Sequence, residues 1–582
     1  MGVHNEEIAR IFDEMAELLA LQNANPFRVR AYQRAARTIR GHRIELAEMV
    51  RRSSAAGEDA EAALDTLPGI GADLAAKSLE IVNTGRCKSL EQLRRQVPHG
   101  LVELLHLPGL GPKRVNMLHS MLGVTSREDL ERALQTQALA KIRGLGPKLN
   151  EKLARELKIR PPEEKRWLRP VAQQFAAPLV AHLRAVPGVQ QVIVAGSYRR
   201  GRETVGDLDI LVGTDDAPTV IRALRQYDEV ASWIAAGTTR VTVVLRSGLH
   251  VDLRISKPAC FGAALHYFTG SKAHNIHVRR LAQERGLKIN EYGVFSGSRR
   301  IAGKTEDSVF ESVGLPWIPT EMREDLGEIE LARAGKLPRL IARDSLRGDL
   351  HVHTKASDGQ EDLEAMARAA EAAGLEYVAV ADHSRYLGLV QGLDERRVRQ
   401  QMETIDRLNE VLDITLLKGI EVDILQDGGL ALPDSLLGEL DVVVGSIHSH
   451  FGLTEQQQTR RVLRAMEHRA FSILGHPTAR LIGERRPIAL DMGRVVAAAK
   501  QRACFLELNG QPDRLDIDDG YCRMAREQGV LVSIASDAHH GTQFINLDYA
   551  VIQARRGWLT PQDVLNTKPL PELRRLLRAT IT

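Results

Sequence analysis

The sequence predicts a multidomain chain: an all-α N-terminal region, an α+β middle part and a C-terminal (β/α) barrel. Three observations predict it. The chain has 582 residues, too many for one ordinary core. Its first 160 residues read as helical throughout and repeat one turn, as LPGIG at 67–71, LPGLG at 107–111 and IRGLG at 142–146. From 349 onward short apolar strands alternate with helices: YVAVAD, ITLLKGIEV, DVVVGSIH, FSILGH, CFLELN and VLVSIASD. That alternation builds a parallel sheet from βα units, closed or nearly closed into a barrel.

The bulk numbers exclude several classes. A hydrophobic fraction of 43% suits a soluble globular protein, and no apolar run is long enough to span a bilayer. The opening stretch MGVHNEEIARIFDEMAELLA reads as an acidic amphipathic helix rather than a targeting peptide. Four scattered cysteines, Cys87, Cys260, Cys504 and Cys522, form no CxxC pair, which fits a reducing cytoplasm. Charge is uneven. Residues 349–582 hold 27 Lys and Arg against 34 Asp and Glu, and residues 1–348 hold 52 against 41. A basic first part expects a polyanionic partner, and an acidic, His-rich second part expects metal ions.

In each repeated turn a Gly-h-Gly step lets the backbone approach a ligand, and the following helix offers free N–H groups at its start. The residues concerned are Gly69, Gly71, Gly109, Gly111, Gly144 and Gly146. The device resembles the helix-hairpin-helix motif, which grips a nucleic-acid backbone without reading its sequence.

The densest motif is GSYRRGRETVGDLDILV at 196–212. Asp207 and Asp209 stand two apart in a strand and face one way. Asp252, in HVDLRI, belongs to a strand that could lie alongside. Three such carboxylates need divalent cations, and two cations can clamp both oxygens of a phosphoryl transfer. The Gly-Ser turn, with Arg199 and Arg200, offers N–H, hydroxyl and guanidinium groups to a triphosphate. This spacing resembles the nucleotidyltransferase signature. With YFTGS at 267–271 and INEYG at 289–293, residues 1–320 resemble the DNA polymerase X family.

The resemblance implies a palm with a thumb, and magnesium or manganese held by Asp207, Asp209 and Asp252. It implies Ser197 and Arg200 on the triphosphate, and Tyr267, Phe268 and Gly270 as a sugar-sensing wall. Asn275 and Arg279 would touch the incoming base and the template strand. Some members use a lysine in the N-terminal domain as a Schiff-base nucleophile on abasic DNA, and Lys77 stands at the matching place. Arg28 replaces an expected lysine, however, and Asp73 puts a negative charge one turn before Lys77. Lys77 therefore reads either as that nucleophile or as an ordinary solvated lysine or phosphate contact.

The barrel opens on DLHVHTKASDG, with His351 and His353 on one side of a strand end. Further candidates recur once per βα unit: Asp358, His383, Glu421, His448, His476, Asp537 and His539. Mixed histidine and carboxylate donors suit zinc, manganese or iron better than magnesium, and nine exceed what one ion can take. The set HxH…D, DH, GxE, SxH, GHP and SDAH resembles the PHP family of metal-dependent phosphoesterases. That resemblance implies one ion on His351, His353, Glu421 and Asp537, a second on Glu421, His448 and His476, and a third on Asp358, His383 and His539.

The expected organisation is an N-terminal lyase-like helical domain (1–90), helix-hairpin-helix fingers (91–160), palm (161–262), thumb (263–320), linker (321–348) and PHP domain (349–582). The expected function is DNA repair: filling short gaps from deoxynucleoside triphosphates and processing 3′ ends as a 3′→5′ exonuclease. Gapped or nicked DNA is the expected partner. A monomer in the cytoplasm, near the nucleoid, is the expected form. Two alternatives stand beside it: a small-molecule phosphoesterase of the histidinol-phosphatase kind on a DNA-binding scaffold, and a non-enzymatic DNA-end scaffold.

Overall fold

The computed structural model describes residues 3–578, apart from 4, 23, 41–43, 58, 68, 106, 108–109, 136–137, 142–152, 154–165 and 386–390. The chain divides into two compact units, Met1–Lys165 and Arg166–Thr582. Among the described residues no helix is long and apolar enough to cross a membrane.

The first unit is helical, as its periodicity dictates. In the first helix, Asn5–Leu21, the residues Ile8, Phe12, Met15 and Leu19 recur at three- and four-residue steps. They bury against Tyr32, Ala36 and Ile39 of the helix Pro26–Arg40. Phe12 and Tyr32 meet edge to face at 5.6 Å. Gly71 precedes the helix Ala72–Thr84, and Gly111 precedes Pro112–Leu122. Neither helix start has a side-chain cap, so the first-turn N–H groups stay open to an anion. Gly109, Gly144 and Gly146 lie outside the described residues.

The second unit starts with a five-stranded sheet. Its order is Gln191–Val194, Asp207–Gly213, His250–Ser256, Arg240–Leu245 and Val230–Ala236. Strand alternation explains its two faces. Leu208, Ile210 and Val212 enter a core with Leu179 and Leu183 of the helix Arg169–Arg184. Leu211 points the other way, into a cluster with Phe261, Ala264 and Leu265. Asp207 and Asp209 share that second face. The helix carrying those residues, Phe261–Thr269, runs across the expected palm–thumb border at 262/263. A small antiparallel sheet, Leu287–Asn290, Gly293–Ser296 and Arg299–Ala302, completes the thumb.

The segment expected as a linker, 321–348, is folded rather than a loose tether. It carries the helix Glu328–Arg333, and its charged look hides a set of apolar anchors. Met322, Ile329 and Leu340 join the thumb core, which also takes Trp558 from just after the barrel helix Asn546–Arg556. Ile341 and Leu346 join the barrel core. Thumb, connector and barrel therefore share packing.

The barrel has seven parallel strands in chain order: Gly348–Val352, Tyr377–Val380, Thr415–Asp423, Val442–Ser446, Ile473–Leu474, Phe505–Asn509 and Val532–Ala535. Every residue of these strands is buried except Thr415 and Lys418, as expected for a sheet covered by helices. A parallel bridge from Val352 to Ala538 closes the ring. At the opposite end the buried Asn566 amide binds Gly348 O at 2.6 Å, Ile534 O at 2.7 Å and Ile534 N at 3.0 Å. One side chain thus stitches the first strand to the last.

Candidate active sites

In the palm, parallel pairing sets Asp209 directly beside Asp252 and Asp207 beside His250. Gly196 has φ 59°, and a Cβ there would stand 2.2 Å from the Asp209 carboxylate. Glycine is thus required for the turn to close over the aspartate. Burial first, then the Asp207 and Asp252 charges, push the Asp209 carboxyl up to about 7. Burial and Asp252 raise Asp207 as well. Two carboxylates held back from ionising beside a third, with oxygen donors only, fit hard divalent cations.

Asp252 is turned partly away: its carboxylate accepts from Thr242 and lies 3.0 Å from Arg240 and 3.5 Å from Arg254. Among the described residues, the donor groups that converge closely enough to hold an ion all lie in the barrel.

The other palm residues fall around one turn, the short helix Gly196–Arg199. Arg199 is spent on a bidentate pair with Glu306, at 2.7 and 2.9 Å. Arg200 donates to Thr269 O at 2.6 Å and Glu324 at 3.1 Å. Gly270 lies against Arg200, and a Cβ there would stand 3.1 Å from its guanidinium. Ser197 is half-buried in the turn. Tyr267 is 37% exposed and meets Phe268 edge to face at 5.1 Å. Asn275 does not face solvent: its amide donates to Tyr267 O at 2.7 Å. Arg279 donates to Asn275 O at 3.2 Å. Asn275 therefore braces the backbone of the aromatic pair, while Arg279 bonds within its own helix.

Lys77 is ion-paired with Asp73. Burial acts to lower its pKa, but Asp73 and Tyr32 more than offset that and hold it above the ordinary lysine value. A nucleophilic amine needs the opposite shift. In the structure Lys77 is thus paired with a carboxylate, which favours its protonated form.

At the barrel's C-terminal rim, six of the seven strands, all but the sixth, deliver a candidate donor. His351 and His353 end the first, His383 follows the second, Glu421 ends the third, and His448 and His476 follow the fourth and fifth. Asp537 and His539 follow the seventh. Glu421 sits at the centre, with His383 Nδ1 and His476 Nε2 at 2.9 Å, His448 Nε2 at 3.2 Å and His351 Nε2 at 3.4 Å. Asp537 lies 3.1 Å from His353 Nε2, and Asp358 lies 3.4 Å from both His383 and His539.

Three groups converge: His353, Asp358, His383 and His539; His351, His353 and Asp537; His383, Glu421 and His448. The division differs from the expected one. His353 stacks at 4.2 Å on His539 and so joins the third set. His383 replaces His476 beside His448, while His476 keeps its contact with Glu421.

The residues fit metal ions. Buried ring nitrogens of His351 (Nε2), His353 (both), His383 (Nδ1) and His476 (Nδ1) make no well-aligned hydrogen bond, although carboxylate oxygens stand near most of them, a costly state unless something else binds them. The electrostatics agree. Burial acts to lower His383, but Glu421 and Asp358 hold it at about 11. Burial acts to raise Glu421 and Asp537, yet the surrounding histidines hold both well below the carboxylate range. His476 and Asp537 also hold positive φ, 24° and 52°, and such strain gathers at working sites.

Two of the residues that aim these donors, Glu507 and Asn509, escaped the sequence reading. Glu507, on the sixth strand, accepts from His351 Nδ1 at 2.6 Å and holds the His476 backbone N–H at 2.5 Å. Asp423 binds His448 Nδ1 at 3.0 Å, and Asn509 binds Asp537 at 2.9 Å. Only their place at strand ends could have signalled the missed pair.

The comparisons agree with this layout. Family models match a helix-hairpin-helix domain at 3–87 and a SAM-like helix-hairpin-helix tandem at 101–158. They also match the DNA polymerase beta palm at 169–242, the DNA polymerase beta thumb at 264–324 and the PHP domain at 349–511. Fold and donors together define a nucleotidyltransferase joined to a metal-dependent PHP phosphoesterase.

One relative covers everything. The DNA polymerase/3'-5' exonuclease PolX of Bacillus subtilis (strain 168) is 36% identical over 99% of this chain and 100% of its own length. The chain belongs to that PHP-bearing branch of the DNA polymerase X family. Partial relatives split along the same seam. A probable phosphatase of Thermoanaerobacter sp. (strain X514) is 27% identical over 38% of this chain and 89% of its own. The DNA polymerase lambda of Rattus norvegicus is 26% identical over 43% of this chain and 47% of its own.

Proposed function

We propose that this protein fills short gaps in DNA with its palm and trims 3′ ends with its barrel. The observation that carries the reading is that both donor sets are complete in one chain: Asp209 beside Asp252 in the palm, and three convergent groups in the barrel. Full-length similarity to a polymerase/exonuclease supports it. In the palm the primer 3′-hydroxyl attacks the α-phosphate in line, and pyrophosphate leaves. Asp207, Asp209 and Asp252 would hold magnesium or manganese, which would supply charge compensation for both oxygens. Ser197 and the N–H groups of its turn hold the triphosphate, Arg200 turns to it, and Tyr267 and Phe268 face the sugar. In the barrel Glu421 and Asp537 fix the cluster, and His351, His353, Asp358, His383, His448, His476 and His539 complete it. Two or three manganese, zinc or iron ions there would supply a water of lowered pKa. Glu507 and Asp423 orient the imidazoles.

Two double variants on one labelled, gapped substrate test this. Asp207→Ala with Asp209→Ala should lose synthesis and keep 3′-end hydrolysis, and His351→Ala with Asp537→Ala should do the reverse. Unchanged activities in both would sink the assignment. A small phosphoester is the second reading for the barrel, favoured by its similarity to a probable phosphatase. Faster turnover of histidinol phosphate than of a DNA 3′ end would select it.

A further inference from the structure

Arg556 ends the barrel helix Asn546–Arg556, yet its side chain reaches the palm as well as the barrel. Its Nη1 donates to the backbone carbonyl of Arg200 at 2.8 Å and to Glu324 Oε1 at 3.1 Å. Its Nη2 donates to Asp519 at 2.6 Å. The side chain is 3% exposed. The same oxygen of Glu324 accepts Arg200 Nε at 3.1 Å. One turn back on the helix, Ile552 would stand 2.4 Å from a Cβ on Gly201, whose φ is 71°. A side chain at 201 would push the helix off. The barrel is thus fitted to the turn that carries Ser197 and Arg200.

We propose that Arg556 is a positioning residue for nucleotide binding in the palm, so that the barrel forms part of the polymerase's nucleotide site. The proposal rests on reading Gly196–Gly201 as the triphosphate turn. Two effects combine. The bond to the Arg200 carbonyl fixes the turn's backbone. Competition for Glu324 keeps that carboxylate from neutralising Arg200 alone, which leaves the guanidinium available to a phosphate. Without Arg556, Glu324 closes on Arg200 and the turn loses its support.

Arg555 supplies the control. It lies on the same helix and also crosses the interface, but its bonds go to Glu321 at 2.7 Å and Ile341 O at 2.9 Å, not to Glu324 or to the backbone of the turn. The experiment uses the full chain. Isothermal titration of dTTP with Mg2+ gives Kd, gap filling gives KM and kcat, and 3′-end hydrolysis reports an intact barrel. Arg556→Ala should raise Kd and KM about tenfold and change kcat by less than about twofold. Arg556→Lys should recover part of the loss. Arg555→Ala should leave Kd and KM unchanged. Equal Kd in wild type and Arg556→Ala would overturn the proposal, as would an equal loss in Arg555→Ala, which would mean that the interface acts only as general support. Ser197→Ala with Arg200→Ala separates the two levels. If that pair binds dTTP like wild type, the triphosphate reading itself falls and takes the proposal with it. If it loses binding while Arg556→Ala does not, only the proposal falls.

Discussion

Asp209→Asn should stabilise the metal-free protein while abolishing synthesis. The Asp209 carboxyl stands at about 7 in the folded chain against an ordinary 3.8. Its folded pKa is the higher one, so the folded state holds its proton longer than the unfolded state. Stability present below pH 4 is then lost as pH rises towards 7. Three pKa units set a ceiling of about 4 kcal/mol. Side-chain rearrangement and entry of water reduce that to about 2 kcal/mol, or a Tm change of about 4–8 °C for a domain of this size. Asparagine has no charge to bury. The assay is thermal unfolding of wild type and variant in chelator at pH 8 and pH 4.5. The variant should melt higher at pH 8, and its advantage should shrink to about a quarter at pH 4.5. Magnesium should raise the wild type alone. An advantage that is absent at pH 8, or equal at both pH values, would refute the electrostatic account of the palm.

Three further outcomes follow from described contacts. Glu507→Gln should weaken metal binding by the barrel about 10- to 100-fold, because it loosens His351 and the His476 backbone together; metal analysis after dialysis against graded chelator reads this. Asp73→Ala should increase borohydride trapping of Lys77 on an abasic substrate near neutral pH, since it removes the carboxylate that keeps the amine protonated, and Lys77→Ala should abolish any signal. Equal trapping with and without Asp73 would show that the pair is irrelevant. Asn566→Ala should cost about 1–3 kcal/mol, because it leaves buried groups on two strands unpaired, and chemical unfolding should report the loss.

What the sequence disclosed depended on range. His351 and His353 announced themselves because strand alternation puts residues two apart on one side, and Asp207 and Asp209 did so for the same reason. The helical first unit was legible from the three- and four-residue recurrence that runs from Ile8 to Leu19. Glu507 was not, since a lone glutamate in LEL has no local pattern, and its role exists only once His351, 156 residues away, closes on it. Arg556 meets Arg200 across 356 residues. The connector hid for a different reason. Its charges dominate composition, but Glu328 folds inward, where its carboxylate caps the backbone N–H groups of Asp325 and Leu326 and meets His274. A buried charge satisfied by its own helix start looks, in sequence, like solvent-facing linker.

The Asn566 clasp gives the barrel an order of events. Gly348, which it grips, lies 218 residues earlier, and Asp537 and His539 arrive only with the seventh strand. During synthesis the palm sheet has all its strands before the barrel's second half exists. A chain halted or cut before the seventh strand, Val532–Ala535, presents a sheet with two open edges and lacks Asp537 and His539 from its donor set. The capacity to degrade DNA is therefore the last thing this polypeptide acquires and the first it loses to truncation.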